Sequence, residues 1–581
     1  MDNVGKEERT NMKKTAKINK PVQVSAEEKP VVKSYILAAL ISISVPFFGL
    51  FHEWCAIAFS AIIAVWLVVD ALCVGKTVIY RNFTTLAVAV LVFSYLVAAL
   101  YATDRGMALV GFLKFLPVLL FYIAATNSPG FMAAFTKVFP LFAVGLTAVT
   151  ALMMIIPPLH DSVTFQNRLH GLTQYPNAFA AVLLAAEIMI LGFRRMPVRI
   201  IGAVVLAGGI FLTGSRTIIV LFALSNLFLL IRAFRKHKKA MLITAGAAVV
   251  LVAGSFALGA VGVSPFDRLL RINFGESTFW FRLIYLGDAL PFSLKHPLGI
   301  GYLGYSFMEK SFQSMPYYVR FVHNDLMQMI LDVGWIPALI FSIAAVRTVF
   351  SGKRPILIRT AAAVILLHSL FDFDLQFISV FLILTACMAD TTGKTFVIKK
   401  RPFTAAALGV IAAVSVYFST ALALSHFGRL EESIRMYPLN TECRVKIMSE
   451  TKDADALEKC ADEVISMNDS ISEAYASKAA SAFMKGDFDS FILNMRKALD
   501  RAPFEYTLHE QYCRLLIQGV EYYEKAGDEA SASVCRKEIS STVARYKKTV
   551  AGVNPLYKNT VKAPVFDFPD DIMNYASSGS H

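Results

Sequence analysis

The sequence predicts an all-α protein in which a polytopic transmembrane helical bundle is followed by a soluble helical-repeat domain. The chain is 56% hydrophobic and only 17% charged, whereas soluble chains carry about 25% charged residues. Its mean hydropathy is +0.54. Apolar runs recur as far as residue 424, and the composition after that is typical of a soluble helical domain.

The apolar runs predict about 12–13 membrane spans, because a bilayer core needs about 20 helical residues. The runs lie at 35–51, 54–74, 84–102, 106–126, 137–157, 176–193, 198–213, 217–233, 240–262, 326–349, 356–371, 375–390 and 403–424. Only Asp372 and Asp374 divide the eleventh run from the twelfth, and these two could either pair with cations or stay in outer water. The spans therefore define a membrane domain over 35–424 that contains one large polar loop, 263–325.

The distribution of basic residues orients this bundle. The tail 1–34 is rich in lysine, and alternate loops such as 194–199 and 232–239 are basic, whereas the opposite loops are poor in lysine and arginine. Basic loops face the cytoplasm, so the pattern predicts a cytoplasmic N-terminus in the cytoplasmic (inner) membrane. It also places the 263–325 loop and the C-terminal domain outside. Because the net charge of +14 is concentrated in such loops, nucleic-acid binding is not expected, and no cleavable signal peptide is predicted.

The segment 425–552 is similar to tetratricopeptide repeats. Ala476 and Ala479 allow close helix contact, Gly486 makes a turn, and Pro503 ends the second helix. Helix pairs of about 34 residues stack into concave binding surfaces, so a protein partner or an acceptor could bind here. Its four cysteines could pair outside the cell or lie free on buried helix faces. The remainder, 553–581, is predicted to be extended or disordered.

Two arginines and a histidine are predicted at the outer ends of spans, where a charged side chain is costly unless it has a function. Arg216 begins the eighth span, and Arg282 and His323 lie in the large loop. Guanidinium groups suit phosphate oxygens, so the three residues suggest a phosphate-bearing lipid substrate. The alternatives are that Arg216 anchors in headgroups, that Arg282 is a surface charge and that His323 caps a helix.

Further candidates surround these three residues. Lys114 lies within a span, where a charge tends to be functional unless it snorkels to the surface. Arg168 and His170 could contact sugar or phosphate, and Asn177 is expected to cap the sixth span. His296 precedes a proline and is more typical of a structural role. No group of residues suited to a metal or a nucleotide cofactor accompanies them.

The chain resembles the O-antigen ligase and polysaccharide polymerase superfamily in five ordered motifs. They are RLHGLTQYPNAFA at 168–180, TGSRT at 213–217, RLIY at 282–285, HPLGIG at 296–301 and HN at 323–324. The resemblance covers about residues 84–390. It implies a membrane glycosyltransferase that moves a glycan from an undecaprenyl-diphosphate carrier to a glycan, lipid or protein acceptor on the outer face of the membrane.

The resemblance also implies roles for individual residues. Arg216 and Arg282 would bind the diphosphate, and His323 would take a proton from the acceptor hydroxyl or donate to the phosphate. Arg168, His170, Asn324, His296 and Lys114 are the predicted substrate-binding residues, and neither a metal nor another cofactor is expected. A ligase, a polymerase and a protein O-oligosaccharyltransferase remain alternatives within the superfamily. A transporter or a non-catalytic scaffold is the alternative from another class.

Overall fold

The computed structural model describes residues 31–234, 277–399, 401–559 and 567–578, and the isolated positions 246 and 250. The described residues are mainly helical and contain almost no sheet, which confirms the predicted all-α class. Six helices are long and apolar enough to span a membrane: Glu53–Val74, Arg105–Thr126, Phe131–Ile155, Met196–Thr213, Arg216–Phe234 and Arg401–His426. Six shorter apolar helices are Val32–Ser44, Phe83–Ala98, Pro176–Ile190, Trp335–Phe350, Ile356–Ser369 and Ile378–Met388. The span predicted at 240–262 lies outside the described residues, apart from the two isolated positions.

The helices are arranged around a buried centre. Arg105–Thr126, Pro176–Ile190 and Ile378–Met388 are buried along nearly their whole length. The outer helices instead leave large apolar side chains exposed, among them Val69 and Leu224. An apolar outer surface is what a bilayer requires of a spanning bundle, so the burial pattern agrees with the composition.

The span predicted at 326–349 is two helices, Asp325–Val333 and Trp335–Phe350, with a break at Gly334. Gly334 has φ +88°, and a Cβ there would lie 2.7 Å from the carbonyl oxygen of Pro297. The HPLGIG segment fills the break, because Ile300 N donates to Leu331 O at 2.7 Å and Trp335 N donates to Pro297 O at 3.1 Å. The glycines of this motif therefore allow a loop to pack directly against a broken helix.

Two short antiparallel strand pairs were not predicted. Thr77–Arg81 pairs with Lys394–Ile398, and Asn127 exchanges hydrogen bonds with both backbone groups of Val78 at 2.8 Å. Thr164–Phe165 pairs with Arg168–Leu169 as a small hairpin. These strands are too short to show an alternating apolar pattern in the sequence.

The C-terminal region is a series of helices packed on their neighbours in the chain. Their bounds are Leu430–Met436, Thr441–Glu450, Ala454–Met467, Ser472–Met484, Phe488–Arg501, Tyr506–Lys525 and Glu529–Ala551. The segment 553–581 was expected to be extended or disordered, and the structure describes 553–559 and 567–578 of it. A 3-10 turn at Pro555–Asn559 and a helix at Asp570–Ser578 are present, and Ile572 is fully buried because it joins the same apolar cluster as Tyr546.

Candidate active site

Asp372 lies at the centre of a polar network at one end of the bundle. It occupies the loop between Ile356–Ser369 and Ile378–Met388, and its side chain is fully buried. A buried carboxylate is costly unless hydrogen bonds or opposite charges stabilise it. Asp372 has both. The Asp372 network consists of Asp372, the residues that contact it, and Arg168, which contacts Asn177. The residues that contact Asp372 are Tyr175, Asn177, Arg282 and His323.

His323 and Arg282 contact Asp372 through different oxygen atoms. His323 Nδ1 lies 3.0 Å from Oδ1, and an Arg282 guanidinium nitrogen donates to Oδ2 at 3.1 Å. Burial alone would raise the pKa of the Asp372 carboxyl, but the hydrogen bond from His323 and the charge of Arg282 outweigh burial and hold that pKa well below its usual range. Asp372 is therefore ionised, and a carboxylate at Nδ1 places the ring proton of a neutral His323 on that nitrogen.

The segment 168–177 supplies the other side of the network. Asn177 Nδ2 donates to Asp372 Oδ2 at 2.7 Å, and Arg168 donates to Asn177 Oδ1 at 2.6 Å. Tyr175 OH donates to Asp372 at 2.9 Å. Burial and the adjacent Asp372 charge raise the pKa of Tyr175 well above its usual value, so the phenol stays protonated. The expected capping role of Asn177 is wrong: Tyr175 occupies the N-cap position, and Asn177 bridges Arg168 to Asp372.

Arg216 begins the helix Arg216–Phe234 just after a turn at Gly214. Arg168 holds that turn, because its Nε donates to Thr213 O at 2.7 Å. The Arg216 side chain is half-buried. The backbone thus places Arg216 beside the Arg168 part of the network, although the two arginines lie far apart in sequence.

Two other predicted substrate-binding residues make structural contacts. Asn324 caps the helix Asp325–Val333 through a hydrogen bond from Met327 N at 2.9 Å, and it also donates to Leu370 O at 2.9 Å. His296 packs its ring 4.3 Å from that of Phe292, at the opposite end of the helix Ser277–Lys295 from Arg282. A substrate contact by either residue stays a prediction.

His170 is buried beside the small hairpin at 164–169. Within the described part of the chain, its Nδ1 has no hydrogen-bond partner. Burial lowers the pKa of His170, so the ring is neutral at pH 7 and offers an unused polar atom. The proposed contact of His170 with sugar or phosphate stays a prediction.

Lys114 belongs to a second buried cluster and does not snorkel. Its Nζ donates to Tyr302 OH at 2.8 Å and lies 3.7 Å from Glu53 Oε1. Arg320 pairs with the same Glu53 oxygen at 3.1 Å and with Glu442 at 2.5 Å. We call these five residues the Lys114 cluster. Because Glu442 belongs to the C-terminal region, the cluster joins that region to the bundle, and a substrate contact by Lys114 stays a prediction.

Aromatic rings connect the Lys114 cluster to the Asp372 network. Phe373 lies edge-on to the His323 ring at 4.9 Å and is stacked on Tyr175 at 4.9 Å. Phe321 lies 5.8 Å from Phe373 and 5.5 Å from Lys114 Nζ. This aromatic packing limits the freedom of the His323 ring and lies between the two groups of buried charges.

Residues 201–342 match the family model described as O-Antigen ligase. The matched segment contains Arg216, Arg282 and His323, two of which the structure brings together on Asp372. This segment is an O-antigen ligase family domain. The match supports a ligase or polymerase of this kind, and the apolar helices are those of a multi-pass membrane protein. Among curated proteins, none matches the chain.

Asp372, which lies beyond the matched segment, was not among the predicted site residues. Its position between two apolar runs suggested either pairing with the cations or exposure to outer water, and the structure shows pairing with complete burial. One signal could have identified it. An acidic residue at the membrane end predicted for two arginines and a histidine is a natural counter-ion for them.

Proposed function

We propose that this protein is a glycosyltransferase that moves a glycan from an undecaprenyl-diphosphate carrier to an acceptor hydroxyl on the outer face of the cytoplasmic membrane. The observation that carries the proposal is the shared contact of Arg282 and His323 with Asp372. It brings a phosphate-binding cation and a potential base to one carboxylate. The basic-loop pattern supports an outer location for this end of the bundle.

Arg282 and Arg216 would bind the donor diphosphate. A guanidinium has five N–H donors, and the contact with Asp372 uses one of them in Arg282. The remaining donors suit the forked geometry of phosphate oxygens. As the bond between the anomeric carbon and the phosphate oxygen breaks, negative charge grows on the diphosphate, and fixed cations stabilise it there.

His323 would act on the acceptor. With Nδ1–H directed at Asp372, Nε2 carries the lone pair and takes the proton from the acceptor hydroxyl. The acceptor oxygen then attacks the anomeric carbon while the diphosphate departs, so the configuration at that carbon inverts. Asp372 stabilises the imidazolium that forms, and the imidazolium later returns its proton to solvent.

The test is transfer from a purified undecaprenyl-diphosphate-linked glycan by the full-length protein in lipid nanodiscs. We expect turnover to fall about a hundredfold or more in His323→Ala while the donor still binds. Near-native turnover in that variant would contradict the assignment. Loss of a capped lipid, a long polymer or a glycoprotein in a deletion strain would separate a ligase, a polymerase and a protein-glycosylating enzyme.

A further inference from the structure

The segment that leads to His323 has no regular secondary structure of its own. Residues 313–323 follow the helix Gly304–Phe312 and precede the helix Asp325–Val333, and they contain neither helix nor strand. We call this segment the His323 strap. Because the strap lacks the backbone hydrogen bonds of a helix or sheet, its position depends on side-chain contacts. The position of the His323 ring depends on those same contacts.

Asp288 provides an anchor from the helix that carries Arg282. One oxygen, Oδ2, accepts hydrogen bonds from Ser314 N at 2.9 Å and from Tyr317 OH at 3.0 Å. The Tyr317 ring lies 4.6 Å from that of Tyr285, and the Tyr285 ring is stacked 5.8 Å from His323. A continuous set of contacts therefore runs from Asp288 through two tyrosines to the imidazole.

The C-terminal region anchors the same strap from the opposite side. Asn554 N donates to Ser314 O at 3.0 Å, and Asn554 Nδ2 donates to Ser314 Oγ at 3.1 Å. Ser314 is thus held by Asp288 and by Asn554 together. Arg320, also in the strap, pairs with Glu442 of the C-terminal region at 2.5 Å. Two widely separated parts of that region therefore contact the strap.

We propose that Asp288 is a positioning residue for His323 and that the C-terminal region, through Asn554, completes its anchor. This inference rests on the proposed function, because it assumes that His323 acts on the acceptor. The C-terminal helices then set the geometry of the reaction centre of their own chain, in addition to any partner that they bind. Loss of the anchor would misplace the imidazole without removing any group that binds donor.

The experiment compares Asp288→Ala and Asp288→Asn in the full-length protein, in the same transfer assay. The alanine variant loses both hydrogen bonds, and we expect kcat to fall about tenfold, the effect of about 1.4 kcal/mol in the barrier. An amide oxygen can still accept, so Asp288→Asn should recover most of that loss. The KM for donor should stay within about twofold in both variants, because the arginines that bind diphosphate remain in place.

Asn554→Ala tests the contribution of the C-terminal region without touching the helix of Arg282. It removes the side-chain hydrogen bonds with Ser314 Oγ and Leu556 N and keeps the backbone bond to Ser314, so we expect kcat to fall about threefold to tenfold with an unchanged KM for donor. Arg514→Ala is the matched control, since its ion pairs lie within the C-terminal helices. That variant should retain wild-type turnover.

The outcomes separate this inference from the proposed function. Wild-type kcat in both Asp288→Ala and Asn554→Ala, together with an inactive His323→Ala, would overturn the anchor and leave the reaction centre standing. An equal loss of kcat in Asp288→Ala and Asp288→Asn would also overturn it, because positioning requires only a side-chain oxygen at residue 288 that accepts the two hydrogen bonds. An active His323→Ala would instead remove the proposed function itself.

Discussion

His323 Nδ1 lies 3.0 Å from Asp372 Oδ1, and this contact joins a loop residue to the turn between two late helices. The carboxylate is fully buried, whereas the His323 side chain is about one-fifth exposed, with a relative accessibility of 20%. The histidine can therefore meet a substrate while its counter-ion stays out of water. The buried Asp372 carboxylate accepts the hydrogen bond, and it fixes both the orientation of the ring and the nitrogen that carries the proton.

We expect Asp372→Asn to lower turnover about a hundredfold, the usual scale for impaired acid–base catalysis. An amide is close in shape to the carboxylate but cannot stabilise the imidazolium, and its NH₂ group favours the wrong ring tautomer. The measurement is kcat in the transfer assay, with thermal unfolding of each purified variant as the control for folding. A folded Asp372→Asn variant with wild-type kcat would contradict a role for the His323–Asp372 pair.

We expect Arg282→Lys to restore only part of the activity lost in Arg282→Ala. Removing a charge-assisted hydrogen bond costs about 1.5–3 kcal/mol, and an ammonium restores the charge without the forked geometry. Donor affinity and turnover should both be highest in the wild type, lower in Arg282→Lys and lowest in Arg282→Ala. The same order is expected at Arg216. Equal activity of the lysine variant and the wild type would show that charge alone suffices.

We expect glycan transfer to continue in the presence of a metal chelator, because fixed guanidinium groups can stabilise the leaving diphosphate. Among the residues that the structure describes, no group of three or more His, Cys, Asp or Glu side chains has an arrangement that could hold a metal ion. The measurement is initial rate after dialysis against chelator, with added Mg²⁺ as the control. A rate that falls with chelator and returns with Mg²⁺ would contradict this expectation.

Hydrophobic run length predicted most of the bundle, since most described apolar helices lie within a few residues of the predicted runs. Two differ by more: Val32–Ser44 ends seven residues before its run does, and Phe131–Ile155 begins six residues before its run. The break at Gly334 escaped prediction because the apolar composition continues through it. What makes the break is the HPLGIG segment, which lies earlier in the chain and fills the gap from the side. Periodicity within one segment carries no information on such a contact.

The candidate site, too, could be predicted from the sequence only in part. Motif order identified Arg282 and His323, and the structure brings both to Asp372. The bridge from Arg168 through Asn177 to Asp372 depends on the segment 168–177 meeting the loop of Asp372 in space. Helix-capping rules describe only the local chain, so they assigned Asn177 to a cap. The anchoring of Ser314 by Asn554 depends on how the C-terminal region docks, which no local pattern encodes.

We expect the protein to lose stability as pH rises from about 4.5 to about 8, in part through Glu309. Burial raises the pKa of Glu309 to about 8, even though the N–H of Val319 and the charge of Lys310 favour its ionised form. A carboxyl whose pKa is raised on folding stabilises the folded state fully below its unfolded pKa, and that contribution is lost as pH rises through the folded pKa.

Glu309→Gln tests this linkage, because glutamine stays neutral at every pH. The melting temperature of this variant should be close to that of the wild type at pH 5 and higher at pH 9. Glu510→Gln, at a partly exposed position in the C-terminal helices, is the matched control and should show no such divergence. A pH-independent difference between Glu309→Gln and the wild type would show that Glu309 does not titrate in this range.

We expect the His323 strap and the C-terminal region to face the outside of the cell, opposite to the loop at 351–355. Single cysteines at exposed positions test this: Tyr318→Cys in the strap, Ser533→Cys in the C-terminal helices and Lys353→Cys at the opposite end of the bundle. The background lacks the seven native cysteines, all of which are free thiols in the structure. In intact cells, a membrane-impermeant maleimide should label the first two positions, and it should label Lys353→Cys only after permeabilisation. The reverse pattern would place Arg282 and His323 on the cytoplasmic side and would contradict transfer at the outer face, whatever the activity of the purified protein.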